Sequence, residues 1–138
     1  MSELFRSESV AMTEEYGKKL AAELKSGSVV AFFGGMGMGK TAMVRGIAAG
    51  LGLNAEVSSP TFALVHDYGG RPPLVHFDMY RVTGWEDLYS TGFFDYLDAG
   101  AILVVEWSEN IESALPEDAL RLYFTRVDET TRLIERKC

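Results

Sequence analysis

Short, wholly apolar runs alternate along the chain with stretches whose apolar residues recur every three or four positions. Residues 28–33 (SVVAFF) and 101–105 (AILVV) have strand length and almost no polar member, the pattern of strands buried on both faces. Residues 57–68 begin as a loop, because Ser59 precedes Pro60 and is pushed away from helical angles, and continue as a strand. Gly69-Gly70 and Pro72-Pro73 predict a turn into another strand at 74–77. Residues 120–127 and 131–135 read as a terminal hairpin around Asp128, Glu129 and Thr130.

The helical pattern appears three times. Thr13 followed by Glu14 and Glu15 predicts a helix start, with Tyr16, Leu20 and Leu24 on one face and Gly27 closing it. From Lys40, a stripe of Met43, Val44, Ile47, Ala48 and Leu51 ends at Gly52. Residues 84–97 look helical with an interruption at Gly92. Strands and helices in this order predict an α/β fold whose mixed sheet carries antiparallel additions and is flanked by helices.

Composition narrows the picture. At 138 residues the chain is expected to be one domain, 1–138, and 47% hydrophobic residues suffice for a core and exclude a disordered chain. Thirteen Lys and Arg against 20 Asp and Glu give a net charge of −7, which argues against direct nucleic-acid binding. The one cysteine, Cys138, can form neither an internal disulfide nor a thiolate metal site, which suits a reducing compartment. The first dozen residues lack the apolar core of a signal peptide, and no window approaches the roughly 18 apolar residues of a membrane span. The expected location is the cytoplasm.

Between the first buried strand and the second helix, Gly34, Gly35, Met36, Gly37, Met38, Gly39, Lys40 and Thr41 match G-x-x-x-x-G-K-[ST]. A strand precedes the match and an amphipathic helix follows, as a P-loop requires. Glycines let backbone N–H groups turn inward around phosphate oxygens, and the helix N-terminus adds partial positive charge. Lys40 would reach the β- and γ-phosphates, and the Thr41 hydroxyl would ligate Mg²⁺.

A P-loop needs a carboxylate beyond a second strand. Glu106 ends one apolar strand and Asp78 ends another. Glu106 has two open roles, magnesium ligand or polariser of the attacking water. Ser58, Ser59 and Thr61 form a hydroxyl-rich loop where nucleotide switches sense the γ-phosphate, and Thr61 is the candidate there. His66, His76, Trp85 and Trp107 read as structural or packing residues, with Trp107 next to Glu106. Arg45 and Arg81 read equally as contacts to an anionic partner or as solvated surface.

Absences restrict the class. Guanine readout uses Asn-Lys-x-Asp, yet neither asparagine, Asn54 or Asn110, is followed by Lys. No arginine cluster supplies the lid of a small nucleotide kinase. What remains is a minimal ATP-binding domain that acts on a partner.

The segments GGMGMGKTAMVRGIAAGLG, VSSPTFALVHDY, HFDMYR and ILVVEW resemble, in order and spacing, those of the TsaE family, over nearly the whole chain. The resemblance implies a single P-loop NTPase domain that binds ATP and Mg²⁺ and hydrolyses ATP slowly. It implies a role in forming threonylcarbamoyladenosine at position 37 of tRNAs that read codons starting with A, through the TsaB–TsaD pair, with tRNA met only indirectly. By the family's pattern, Gly35, Met36, Gly37, Met38, Gly39, Lys40, Thr41 and Ala42 bind the nucleotide, and Thr41 and Glu106 form the metal site. Thr61 and Asp78 match its switch-like and HFD positions, Thr13 matches a residue near the adenine, and Arg132 is the candidate contact from the terminal hairpin. Two departures stand out. Gly35 replaces the family's usual loop Asp, which removes a charge but keeps every backbone donor, and Ser108 replaces the usual proline after Glu-Trp. No arginine finger or water-positioning Gln is evident, so hydrolysis is expected to be weak until a partner completes the site.

Overall fold

In a computed structural model of the protein, residues 2–34, 39–53 and 65–137 are described. The predicted strands form β2 (Val29–Phe33), β3 (Val65–Gly70), β4 (Pro73–Asp78), β5 (Ile102–Glu106), β6 (Leu120–Arg126) and β7 (Arg132–Lys137). An additional strand, β1 (Ser2–Ser7), precedes them. They make a seven-stranded sheet in the order β1-β7-β6-β2-β5-β4-β3. The strands β6, β2, β5 and β4 run parallel, while β3 and β7 add antiparallel.

Because strand side chains alternate, each buried strand supplies both faces. Val30, Phe32, Leu74, Ile102 and Val104 face α1 (Val10–Ala21) and α2 (Lys40–Gly50). Ala31, Phe33, Val75, Phe77, Leu103 and Val105 face α3 (Trp85–Ser90), α4 (Phe93–Asp98) and the 3₁₀ segment Ser108–Ala114. Gly92 separates α3 from α4 at φ 82°, where the sequence predicts the interruption.

The helix pair α1–α2 is close enough to be built on glycine. A Cβ on Gly17 would lie 2.6 Å from the Met43 carbonyl oxygen, and one on Gly50 would lie 2.6 Å from that of Lys18. A Cβ on Gly46 would fall onto the Glu14 carbonyl. This contact fixes α2, and with it the end of the P-loop, against the rest of the fold. Arg45 sits on the same seam and is engaged by Glu14 at 2.9 Å.

Two expectations about α1 are corrected. Ser9, not Thr13, is its cap: Ser9 is extended (φ −158°, ψ 162°) and its Oγ accepts from the Met12 N–H at 3.1 Å. Thr13 lies one turn inside the helix, where its hydroxyl meets Ser7 Oγ at 2.6 Å. The helix also ends at Ala21, because the Glu23 and Leu24 N–H groups bond to carbonyls three residues back in a tightened last turn. Gly27 instead closes the turn into β2. The edge strand β1 escaped the sequence reading because it alternates poorly. Leu4 is exposed, Phe5 stacks on Tyr16 at 4.6 Å, and the other inward residue, Ser7, is polar.

Candidate functional site

The carboxyl ends of parallel strands are where α/β sheets collect chemistry, since the following loops leave the sheet there. At the end of β2, Gly34 takes φ 127°, and a Cβ there would strike the Phe124 carbonyl 2.7 Å away. Gly39 takes φ 90° and begins α2 with no side-chain cap, so the first-turn N–H groups of an 11-residue helix are left for a ligand. Gly35, Met36, Gly37 and Met38 between them, like Ser58, Ser59 and Thr61, lie outside the described residues.

Lys40 is buried, and its Nζ donates to the Gly34 carbonyl oxygen at 2.7 Å, bridging the two described ends of the loop. Burial holds its ammonium below the ordinary lysine range, while Glu106, Glu109 and Asp78 draw it back up. The same ammonium stands 5.1 Å over the Trp107 ring. Thr41 and Ala42 follow in the first turn, half-buried and buried.

Strand parity sets the acids. Asp78 and Glu106 are Cα partners in the β4–β5 ladder. Counting by two from Leu74 and Ile102, both share the face covered by α2, as does His76. His76 is fully buried, and its Nε2 lies 2.6 Å from Glu106 Oε2. One Asp78 oxygen accepts from the Tyr80 N–H at 2.9 Å. Trp107, at φ 58° and ψ 42°, is the one described non-glycine residue with positive φ. Such a conformation persists only where its surroundings enforce it. Here the Tyr80 ring packs against it at 4.9 Å and Ser108 Oγ donates to the Val105 carbonyl at 2.9 Å. The turn carries Glu109 back to the loop, where its carboxylate accepts from the Gly34 N–H at 3.2 Å.

The other wall comes from the terminal hairpin. Arg132 opens β7 and pairs with Ser7 of β1, whose hydroxyl holds Thr13. A Cβ on Gly39 would lie 3.8 Å from Arg132 Cγ. Thr13 and Arg132 therefore gather at one corner beside the start of α2. The guanidinium donates to the Asp128 carbonyl at 2.6 Å, but its Nε–H is buried with no hydrogen-bond partner among the described residues. A buried donor of that kind suits an anionic or carbonyl acceptor.

Sequence reasoning missed two contributors. The sequence reads His76 as structural, although two-residue counting along β4 and β5 puts it on the face of Glu106. Glu109 had no signal, because only the left-handed turn at Trp107 brings it back to Gly34.

Comparison with known proteins gives this arrangement a family. The family model for TsaE, the threonylcarbamoyl adenosine biosynthesis protein, matches residues 7–136. The tRNA threonylcarbamoyladenosine biosynthesis protein TsaE of Treponema pallidum is 40% identical over 111 residues, 80% of this chain and 82% of the relative. Its Streptomyces coelicolor counterpart is 42% identical over 115 residues, 81% and 78% of the two chains. The crystal structure of Bacillus subtilis YdiB superposes with a TM-score of 0.82 at 30% identity, covering 99% of this chain and 84% of that one. The chain belongs to the TsaE family.

Proposed function

We propose that the protein is an ATPase that binds ATP with Mg²⁺ at the start of α2 and hydrolyses it slowly. In this reading it supports formation of threonylcarbamoyladenosine at position 37 of tRNAs that read codons starting with A. It does so by acting on a TsaB–TsaD pair in the cytoplasm, as one domain spanning 1–138. The observation that carries the reading is the convergence of Lys40, Asp78 and Glu106 beside an uncapped helix N-terminus.

Each residue then has a task. The backbone of Gly35, Met36, Gly37, Met38 and Gly39, with the first-turn N–H groups of Lys40, Thr41 and Ala42, surrounds the phosphates. Lys40 exchanges its bond to the Gly34 carbonyl for phosphate oxygen and neutralises charge there. Thr41 and Glu106 offer the hard oxygen donors that Mg²⁺ prefers. Among the described residues no cluster of three or more His, Cys, Asp or Glu could hold a metal alone, which suits an ion that takes its other ligands from phosphate and water. When bound, Mg²⁺ would neutralise charge between the β- and γ-phosphates. Asp78 is the second carboxylate, available to orient water, and Thr61 is assigned to sensing the γ-phosphate. Thr13 and Arg132 face the nucleoside side, with the free Nε–H of Arg132 as donor.

A protein of net charge −7 need not touch tRNA if its partner does, and complementary charge on that partner would speed docking. The partner would also complete transition-state stabilisation, a contribution on the order of 10³-fold or more. Calorimetric titration with ATP, ADP and GTP, with and without Mg²⁺, tests nucleotide choice. The expected result is binding of ATP and ADP, no comparable binding of GTP, and loss of all binding in Lys40→Ala. Equal affinity for GTP, or binding insensitive to Lys40→Ala, would overturn the reading.

A further inference from the structure

His76 is wholly buried in the middle of β4, on the face covered by α1 and α2, and its two ring nitrogens meet different surroundings. Nε2 lies 2.6 Å from Glu106 Oε2, while Nδ1 has no hydrogen-bond partner among the described residues. The 2.6 Å contact is the one hydrogen bond the ring makes among the described residues, with Nε2–H as donor and the Glu106 carboxyl oxygen as acceptor. The Tyr68 ring stacks alongside at 6.4 Å, and the buried ring cannot turn without losing its single bond.

Glu106 is the last residue of its strand, where a flexible side chain would otherwise sample several rotamers. One oxygen is anchored by His76, and the other has no hydrogen-bond partner among the described residues. We infer that His76 is a positioning residue, which fixes the Glu106 carboxylate so that it presents a single oxygen toward the nucleotide. The inference rests on the ATPase reading of Glu106 and adds a residue whose task is orientation. A histidine that only filled the core would matter for stability and leave turnover alone.

Three substitutions separate those roles. Gln carries its amide nitrogen where the histidine carries Nε2 and can reach Glu106, Asn ends where Nδ1 stands, and Phe keeps the ring without a donor. In partner-stimulated ATP hydrolysis, His76→Asn and His76→Phe are expected to lower kcat by about 10–100-fold, the usual effect of losing a group that orients a ligand. KM and ATP affinity stay near those of the unsubstituted protein, and His76→Gln restores much of kcat. A readout independent of turnover is the ¹⁵N-imidazole spectrum of the unsubstituted protein, which holds only His66 and His76. It is expected to show His76 protonated on Nε2, with that signal shifted in Glu106→Ala.

Unchanged kcat in His76→Phe, or a His76 ring protonated on Nδ1, would overturn the inference. The spectrum needs no substitution at His76, so a misfolded variant does not remove the test. Absent hydrolysis by the unsubstituted protein with its partners would reject the ATPase reading and the inference with it. Robust hydrolysis that His76→Phe leaves intact would reject positioning alone.

Discussion

Asp78 and Glu106 are Cα partners on the last rung of the β4–β5 ladder, and each commits one carboxylate oxygen to the protein. Asp78 uses Oδ1 to accept from the Tyr80 N–H, and Glu106 uses Oε2 for His76. Among the described residues each acid then has one oxygen to spare, on a face that also receives the Lys40 ammonium. Glu106→Gln keeps the shape and removes the charge. It is expected to lower ATP turnover by about 10²–10⁴-fold, the range for losing a positioned acid or base, while ATP still binds. Parallel measurement of kcat and equilibrium ATP affinity checks the split.

Lys40 is stabilised poorly where it sits, because burial outweighs the acids around it. Lys40→Met is expected to abolish ATP binding yet raise folding stability at neutral pH by about 0.5–2 kcal/mol, the usual exchange at a functional site. The sign of the pH dependence follows. With its folded pKa below the unfolded value of 10.5, Lys40 penalises the fold most at low pH, and the penalty is relieved as pH rises through the folded value. The stability gap between the variant and the unsubstituted protein should therefore narrow toward alkaline pH in denaturant titrations.

Arg132 touches the loop end through its stem and keeps a buried Nε–H without a described partner. Arg132→Ala is expected to weaken ATP binding by about 1.5–3 kcal/mol, the value of a charge-assisted hydrogen bond. Trp107, 5.1 Å from the Lys40 ammonium, provides the readout, since displacing that cation toward phosphate changes the field over the indole. A fluorescence titration with ATP reports the affinity.

Gly46 shows how far the site depends on helix packing. An alanine there gains helix propensity of about 1 kcal/mol. Its methyl group, however, would fall onto the Glu14 carbonyl of α1, and overpacking of this kind costs about 1–3 kcal/mol, occasionally more. Gly46→Ala is expected to lower Tm and weaken ATP binding together, because α2 carries Lys40 and Thr41. Thermal unfolding with and without ATP would show both effects, whereas Gly52→Ala, which meets nothing within 4 Å but has φ 78°, should cost stability only.

Much of this was legible in the chain. Apolar runs fixed β2, β4 and β5, the 3.6-residue stripe fixed α2, and the glycine-lysine-threonine motif lay between β2 and α2 as its chemistry requires. What escaped depends on contacts between distant segments. The edge strand β1 carries one inward aromatic, too little for a period. The cap of α1 is Ser9 rather than Thr13 because the helix begins at Val10, a turn before the Glu14–Glu15 pair, and Ser9 Oγ takes the Met12 N–H. The His76–Glu106 pair lies 30 residues apart in sequence, and only the parallel register of β4 and β5 brings the two together.

Steady-state ATP hydrolysis, measured for the protein alone and with an added TsaB–TsaD pair, tests the proposal most directly, with Lys40→Ala as the blank. The expected result is slow hydrolysis alone, strong stimulation by the pair, and loss of both in the blank. A rate that the pair leaves unchanged, despite demonstrated ATP binding, would contradict a partner-completed ATPase.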